Sequence, residues 1–313
     1  MKSQTKAPPV WGVIAAFAAV YVIWGSTYLG IRYAVETIPP FLMAGTRNLA
    51  AGLLLYAFAR VRGGAAPSRI EWRDAAVTGG LLLAVGNGGV TYAEQVIPSS
   101  VTALLVALVP LWMVLFDWLR PHGVRPPPFV VAGLVVGFAG VALLARGYGD
   151  HSSVAHSWGV LALLAASMSW ALGSIFGRHA HKPSSPLLGV AMQMIAGGSL
   201  LLGMAILRGE VAQFSFGQVT RLSAGSWLYL TAAGSLVGYT CYVWLLHATT
   251  PARVATYAYV NPFIAVLLGC TIGREAFSHE LVLAGGLIIA AVVLIVRGGP
   301  RQAGKETPSE EVG

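Results

Sequence analysis

An arginine inside a long apolar run marks the first place where this chain could do chemistry. Arg47 is the one charge in the stretch from Phe41 to Ala59. A guanidinium presents its donors as a planar fork that matches a carboxylate or a phosphate. Glu94 closes another apolar run and is the second candidate. A carboxyl kept from water can take up and release a proton, whereas one paired with Arg32 or Arg47 stays ionised. Asn87, Gln193, Asn261, Thr240 and Gln95 are uncharged polar residues in or near such runs. They can orient a ligand or join one helix to the next. Trp24, Trp112, Trp170, Tyr239 and Tyr257, with Tyr28, put aromatic faces well inside the runs. Apolar walls with a few polar groups describe a small-molecule pocket, and aromatic faces also suit an organic cation. Tyr92, Tyr242, Trp244 and Tyr259 also lie within or at the ends of the runs, and Tyr and Trp at run ends usually form interfacial belts.

Enzyme chemistry finds little support. Gly147-Tyr148-Gly149-Asp150 resembles the G-x-G-D of intramembrane aspartyl proteases, with Asp117 as the second acid. Two carboxylates must lie about 3 Å apart to share a proton. These two follow runs that end on opposite sides of a membrane. There is no H-E-x-x-H, and His179 and His181 are two apart, which is off one helical face. No metal site and no cofactor are expected. Cys241 and Cys270 lie in apolar runs and read as small hydrophobes.

The elements that must hold these residues follow from composition. Of 313 residues, 56% are hydrophobic and only 10% charged, and the mean hydropathy is +0.70. A soluble domain carries about 25% charged residues, so there is too little charge here to coat a surface in water. The net charge of +8 is scattered in short clusters between apolar runs, which points to a lipid bilayer and not to nucleic acid.

A helix crosses the hydrocarbon core with about 20 apolar residues. Ten runs qualify. They lie between Lys6 and Arg32, Phe41 and Ala59, Asp74 and Glu94, Glu94 and Asp117, and Arg125 and Arg146. The others lie between Asp150 and Arg178, Pro183 and Leu207, Arg221 and Arg253, Val254 and Gly273, and Leu281 and Val296. With a cytoplasmic N-terminus, fourteen Lys and Arg fall on the inner side and five on the outer. That bias predicts an inner-membrane, multi-pass protein with both termini cytoplasmic.

The chain is also doubled. At an offset of 147, Trp11-Gly12-Val13 falls on Trp158-Gly159-Val160; at 146, Pro40 falls on Pro186 and Arg47 on Gln193. At 152, Pro110 falls on Pro262 and Ala132-Gly133 on Ala284-Gly285. A five-helix unit is odd, so the second copy runs inverted. The expected fold is an all-α integral membrane protein of ten helices in two inverted five-helix repeats. The divisions are a cytoplasmic segment 1–9, a first repeat 10–146, a linker 147–156, a second repeat 157–297 and a polar, disordered cytoplasmic tail 298–313. Inverted repeats are characteristic of secondary transporters, with the site between the halves. Pro110 and Pro262 are expected to break equivalent helices there. Gly133 with Gly137, Gly234 with Gly238 and Gly269 with Gly273 are read as packing within the bundle, so a monomer or weak homodimer is expected. No phosphate-binding loop for ATP is present.

Several segments resemble the EamA family of the drug/metabolite transporter superfamily. Tyr257-Ala258-Tyr259-Val260-Asn261-Pro262, then Ala265-Val266-Leu267-Leu268-Gly269 and Gly273-Arg274-Glu275, are similar to its second-repeat signature. Trp24-Gly25-Ser26-Thr27-Tyr28 and Pro39-Pro40 followed by Arg47 are similar to its first two helices. Gly86-Asn87-Gly88, Ala93-Glu94-Gln95 and Pro98-Ser99 are similar to the YedA-type branch. The resemblance implies a ten-helix exporter or exchanger of small metabolites, often amino acids. The first copy departs from the second: Arg120-Pro121-His122 stands where Glu275 would be matched.

The expected function is a secondary transporter that exports a small amino-acid-like or amphipathic compound by alternating access. Efflux of organic cations or many drugs is the alternative, with a passive facilitator or an intramembrane enzyme behind it. Arg47 is expected to contact or gate an anionic group. Trp24, Tyr28, Asn87, Trp112, Trp170, Gln193, Tyr239, Tyr257 and Asn261 are expected to line the cavity, and Glu94 to couple to protons.

Overall fold

The computed structural model describes residues 9–119, 126–147, 154–249, 254 and 256–298. The N-terminal segment, the linker and the tail expected from sequence lie largely outside these residues. So do Asp150 and the side chain of Asp117, the two acids of the protease-like motif.

Among the described residues every regular element is a helix. In chain order they are α1 (Val10–Val35), α2 (Pro40–Val61) and α3 (Arg69–Gly79), which passes through a π-helical segment (Gly80–Asn87) into α4 (Gly88–Ala93). Then come α5 (Ser99–Val106), α6 (Val109–Leu119), α7 (Pro128–Gly147), α8 (Val154–His179), α9 (Pro186–Leu207) and the single turn α10 (Glu210–Gln213). After them α11 (Arg221–Tyr229) passes through a second π segment (Leu230–Tyr239) into α12 (Thr240–Ala248), followed by α13 (Tyr257–Thr271) and α14 (His279–Gly298).

Local sequence explains where these helices start. Ser68 and Glu71 form a reciprocal capping box at α3, and the bonds from Ser68 hold the exposed Glu71 carboxyl below its ordinary range. Thr220 caps α11 by accepting from the Ser223 amide at 3.1 Å. Pro40 and Pro186 open α2 and α9 at the position where a helix needs no amide donor.

Among the described residues, six helical stretches are long and apolar enough to cross a membrane: Val10–Val35, Pro40–Val61, Ser99–Phe116, His156–His179, Pro186–Leu207 and Arg221–Leu245. Shorter apolar helices cover Pro128–Gly140, Val260–Thr271 and His279–Ala291. The expected run between Asp74 and Glu94 is helical throughout but is wound in two ways. The run between Glu94 and Asp117 is not one helix, since it is interrupted at Ala107 and Leu108. Pro110 stands just after this break, at the second position of α6, where its missing amide costs nothing. Pro262 behaves differently: α13 runs through it without a break. The two prolines share a place in the repeat but do not interrupt their helices alike.

The core is built by close backbone approach. α2 lies along α9, and α7 along α14. α1 packs on α13 and α11, while α8 packs on the first π segment, α4 and α6. Small residues permit this. A Cβ at Gly79 would overlap the Gln193 carbonyl oxygen, and one at Gly197 would lie 2.7 Å from the Gly79 carbonyl oxygen. α3 and α9 therefore meet backbone to backbone beside Gln193. Gly79→Val should force them apart. Overpacking costs typically 1–3 kcal/mol, and thermal unfolding in detergent should show a lower midpoint than wild type. An unchanged midpoint would mean that the two backbones are not in direct contact.

Candidate functional site

A pocket of about 90 Å³ lies where α1, α2, the two π segments, α8 and α13 converge. It is lined by Trp24, Tyr28, Arg47, Asn87, Trp170, Tyr239, Tyr257 and Asn261. These are eight of the ten binding residues expected from sequence. Arg47 is 4% exposed. Its Nη2 donates to Asn87 Oδ1 at 2.6 Å, and its Nε has no partner. Among the described residues no carboxylate forms an ion pair with it. Arg47 lines the pocket as a buried guanidinium with one unmet donor, which is costly at this depth.

Winding brings these groups to the pocket. Asn87 ends the first π segment and Tyr239 ends the second. π turns inside α-helices occur frequently at functional sites. Trp24 occupies the centre. Its indole nitrogen donates to the Gly234 carbonyl at 3.4 Å, and a Cβ on Gly238 would lie 2.6 Å from that nitrogen. Glycine is required at 238 for the indole to fit.

A second, larger cavity of about 350 Å³ lies behind the first. Gln193 and Tyr242 line it, and exposed Arg178 and Lys182 stand along it. Tyr239 and Tyr257 line both cavities and form the wall between them. The Tyr239 hydroxyl donates to Gln193 Oε1 at 2.6 Å. Around Trp24 the rings of Tyr242, Tyr257, Trp170 and Tyr239 have centroids at 4.9, 5.5, 6.0 and 6.5 Å. Arg47 with Asn87 and Gln193 with Tyr239 are thus matched pairs from the two halves. Each joins a long helix to the end of a π segment, and each faces its own cavity.

Trp112 is not part of this assembly. Its indole donates to Ser167 Oγ at 2.9 Å and packs between Phe116 and Phe138, away from both cavities. Glu94 lines neither cavity. It is 2% exposed, and neither carboxylate oxygen has a hydrogen-bond partner. Its two expected partners, Arg32 and Arg47, lie near enough to act on its charge, and Arg32 also faces Glu275 at 4.0 Å. Glu275 Oε1 accepts from the Ser99 amide at 2.8 Å and the Ser99 hydroxyl at 2.6 Å, and Oε2 accepts from the Ser100 amide at 3.0 Å. A residue of the second half thereby caps α5 of the first.

Asn48, Ser235 and Tyr242 join the site without having been expected there. Ser235 Oγ donates to Asn48 Oδ1 at 3.1 Å beside Arg47. Asn48 is the neighbour of Arg47 in sequence, a signal that was available. Ser235 had none, being one small hydroxyl in an apolar run. Tyr242 lies in an apolar run but was not among the expected cavity residues, yet it is 4% exposed and sits against Trp24.

A helical bundle with apolar spans and a buried cationic pocket between its halves defines the class: a membrane transporter. The profile of the EamA-like transporter family matches residues 10–146 and again residues 157–297. The chain belongs to that family, within the drug/metabolite transporter superfamily, and is a multi-pass inner-membrane protein. It is 41% identical over 291 residues to "Uncharacterized inner membrane transporter YedA" of Escherichia coli (strain K12), covering 93% of this chain and 91% of the relative. It is 29% identical to "Uncharacterized transporter YvbV" of Bacillus subtilis (strain 168), over 89% of each chain. "Protein PecM" of Dickeya dadantii (strain 3937) is 26% identical, over 87% of this chain and 88% of its own. One solved crystal structure, 20% identical, superposes with a TM-score of 0.60 over 91% of this chain and 97% of its own, a likeness of fold.

Proposed function

We propose that this protein is a secondary carrier that exports a small metabolite, with an amino-acid-like or amphipathic compound as the first substrate to test. The observation that carries the reading is a buried arginine without an ion-pair partner, Arg47, lining a pocket that aromatic rings separate from a larger cavity. Arg47 holds the anionic group. Asn87 orients Arg47, Gln193 and Asn261 offer polar contacts, and Trp24, Tyr28, Trp170, Tyr239 and Tyr257 form the walls.

The carrier has ten spans in two inverted five-helix repeats. The packing supports this. α1 of the first half meets α13 and α11 of the second, and α8 of the second half meets α6 and α4 of the first. α2 with α9 and α7 with α14 are self-matched pairs. Both termini are cytoplasmic, so the cavity lined by Arg178 and Lys182 opens inward, while Glu275 closes the outer side. Alternation between this arrangement and its opposite moves the substrate.

The test is a comparison of extracellular metabolites from cells with the wild-type chain and with Arg47→Ala at equal membrane levels. One unmodified compound that accumulates only with the wild type names the substrate. No difference between the two cultures counts against export. Saturation and counterflow in vesicles then separate a carrier, which shows both, from a channel.

Glu94 is the proposed proton site, being a buried carboxyl without a hydrogen-bond partner. Glu94→Gln should leave substrate exchange intact and remove its response to an imposed pH gradient. An unaltered response would sink the proton role.

A further inference from the structure

The two cavities, taken together, carry charge of one sign. Among the described residues no aspartate or glutamate lines either of them, and the charged residues along both are Arg47, Arg178 and Lys182. Carboxylates nearby are withheld. Asp74 lies one helical turn from Thr78 of the larger cavity. It accepts from Arg73 Nη2 and from the backbone amide of His181, both at 2.8 Å, and pairs with the His181 imidazole at the same distance. Glu94 is close enough to act on the Arg47 charge but makes no ion pair with it.

Volume adds a second constraint. Pockets that enclose a whole small molecule run from about 300 to 1,000 Å³. The Arg47 pocket, at about 90 Å³, takes only a head group, whereas the larger cavity, at about 350 Å³, takes a body. The wall between them is Tyr239 and Tyr257, and Tyr239 is latched by its bond to Gln193.

We infer that the substrate is a net anion with a flat apolar body, its carboxylate on Arg47 and its ring against the aromatic wall, and that Arg178 and Lys182 select for it on the way in. This inference rests on the carrier reading above and names its substrate class. An organic cation meets aromatic faces here but no counter-charge, and three fixed positive charges oppose it. Charged groups at a mouth act mainly on the rate of association, and their effect fades with salt. Arg178 and Lys182 are therefore specificity-determining through the on-rate, and Arg47 through retention.

The experiment uses the full chain in lipid nanodiscs and three probes with one ring: 3-phenylpropanoate, 3-phenylpropanamide and 3-phenylpropylamine. Binding is followed by the fluorescence of the tryptophans, with Trp24 and Trp170 at the wall. The anion should bind about tenfold or more tighter than the amide, with the amine weakest. Arg47→Gln should erase that preference. The double variant Arg178→Gln with Lys182→Gln should slow association of the anion about tenfold at low salt, lose its salt dependence and keep its dissociation rate. Equal binding of the three probes, tightest binding of the amine, or no binding of any overturns the anion class. Anion preference that survives Arg47→Gln overturns the anchor. Anion binding with no flux of 3-phenylpropanoate across proteoliposomes leaves the selectivity standing and counts against the carrier reading instead.

Discussion

Arg47→Ala is expected to abolish transport while the protein reaches the membrane at its wild-type level. Folding is not the reason. A charge at membrane depth is expensive to bury, so its removal also removes a desolvation cost. The change leaves Asn87 Oδ1 without its donor, at a cost of about 1–3 kcal/mol, and removes a guanidinium whose Nε was already unmet. Insertion should survive that exchange. Ligand retention should not. Losing one partner of a desolvated, hydrogen-bonded charge pair costs about 2–5 kcal/mol, or roughly thirtyfold to several thousandfold. Arg47→Lys provides the control, since it keeps the charge but loses the planar fork. It should transport at an intermediate rate. The measurement is initial efflux per inserted molecule, and wild-type rates from the alanine variant would remove Arg47 from the site.

Glu275→Ala is expected to open the side of the molecule opposite the large cavity. Its carboxylate collects the Ser99 amide, the Ser99 hydroxyl and the Ser100 amide, and faces Arg32. Hydrogen bonds to a charged group contribute about 1.5–3 kcal/mol each. Losing three at once shifts a two-state balance by several kcal/mol, enough for about a hundredfold change in population. Arg274, the preceding residue, adopts a φ of +53°, so the turn that aims Glu275 is held in the left-handed region by its surroundings. Thr102 is fully buried on α5. A Thr102→Cys reporter, with Cys241 and Cys270 changed to serine, should react with an external impermeant maleimide at least tenfold faster once Glu275 is alanine. Equal labelling would show that this contact does not hold the outer side shut.

Much of the site was legible because isolated charge is rare in an apolar chain. Arg47 declared itself, and Trp24, Trp170, Tyr239 and Tyr257 followed from their depth in the runs. Trp112 had the same depth and went elsewhere. In a helix that is apolar on every side, sequence does not say which face turns inward, and α6 turns Trp112 toward Ser167. The π segments left no trace, since Gly80–Asn87 reads like any other apolar helix. The interruption at Ala107 and Leu108 was signalled by Pro110, which has no amide to bond the Val106 carbonyl, whereas Pro262 gave the same signal in a helix that runs on. Glu275 was visible as part of a family signature. Its bond to Ser99, 176 positions away, was not.

The two π segments have a mechanical consequence. A helix wound with the wider turn has already left the ordinary ladder of bonds, so it bends there more cheaply than elsewhere. Asn87 and Tyr239 sit at the ends of those stretches. The residues proposed to orient Arg47 and to wall the pocket then also stand at the flexion points. Gripping and bending become one event, and cargo of the wrong shape would leave the hinges unset and the molecule idle.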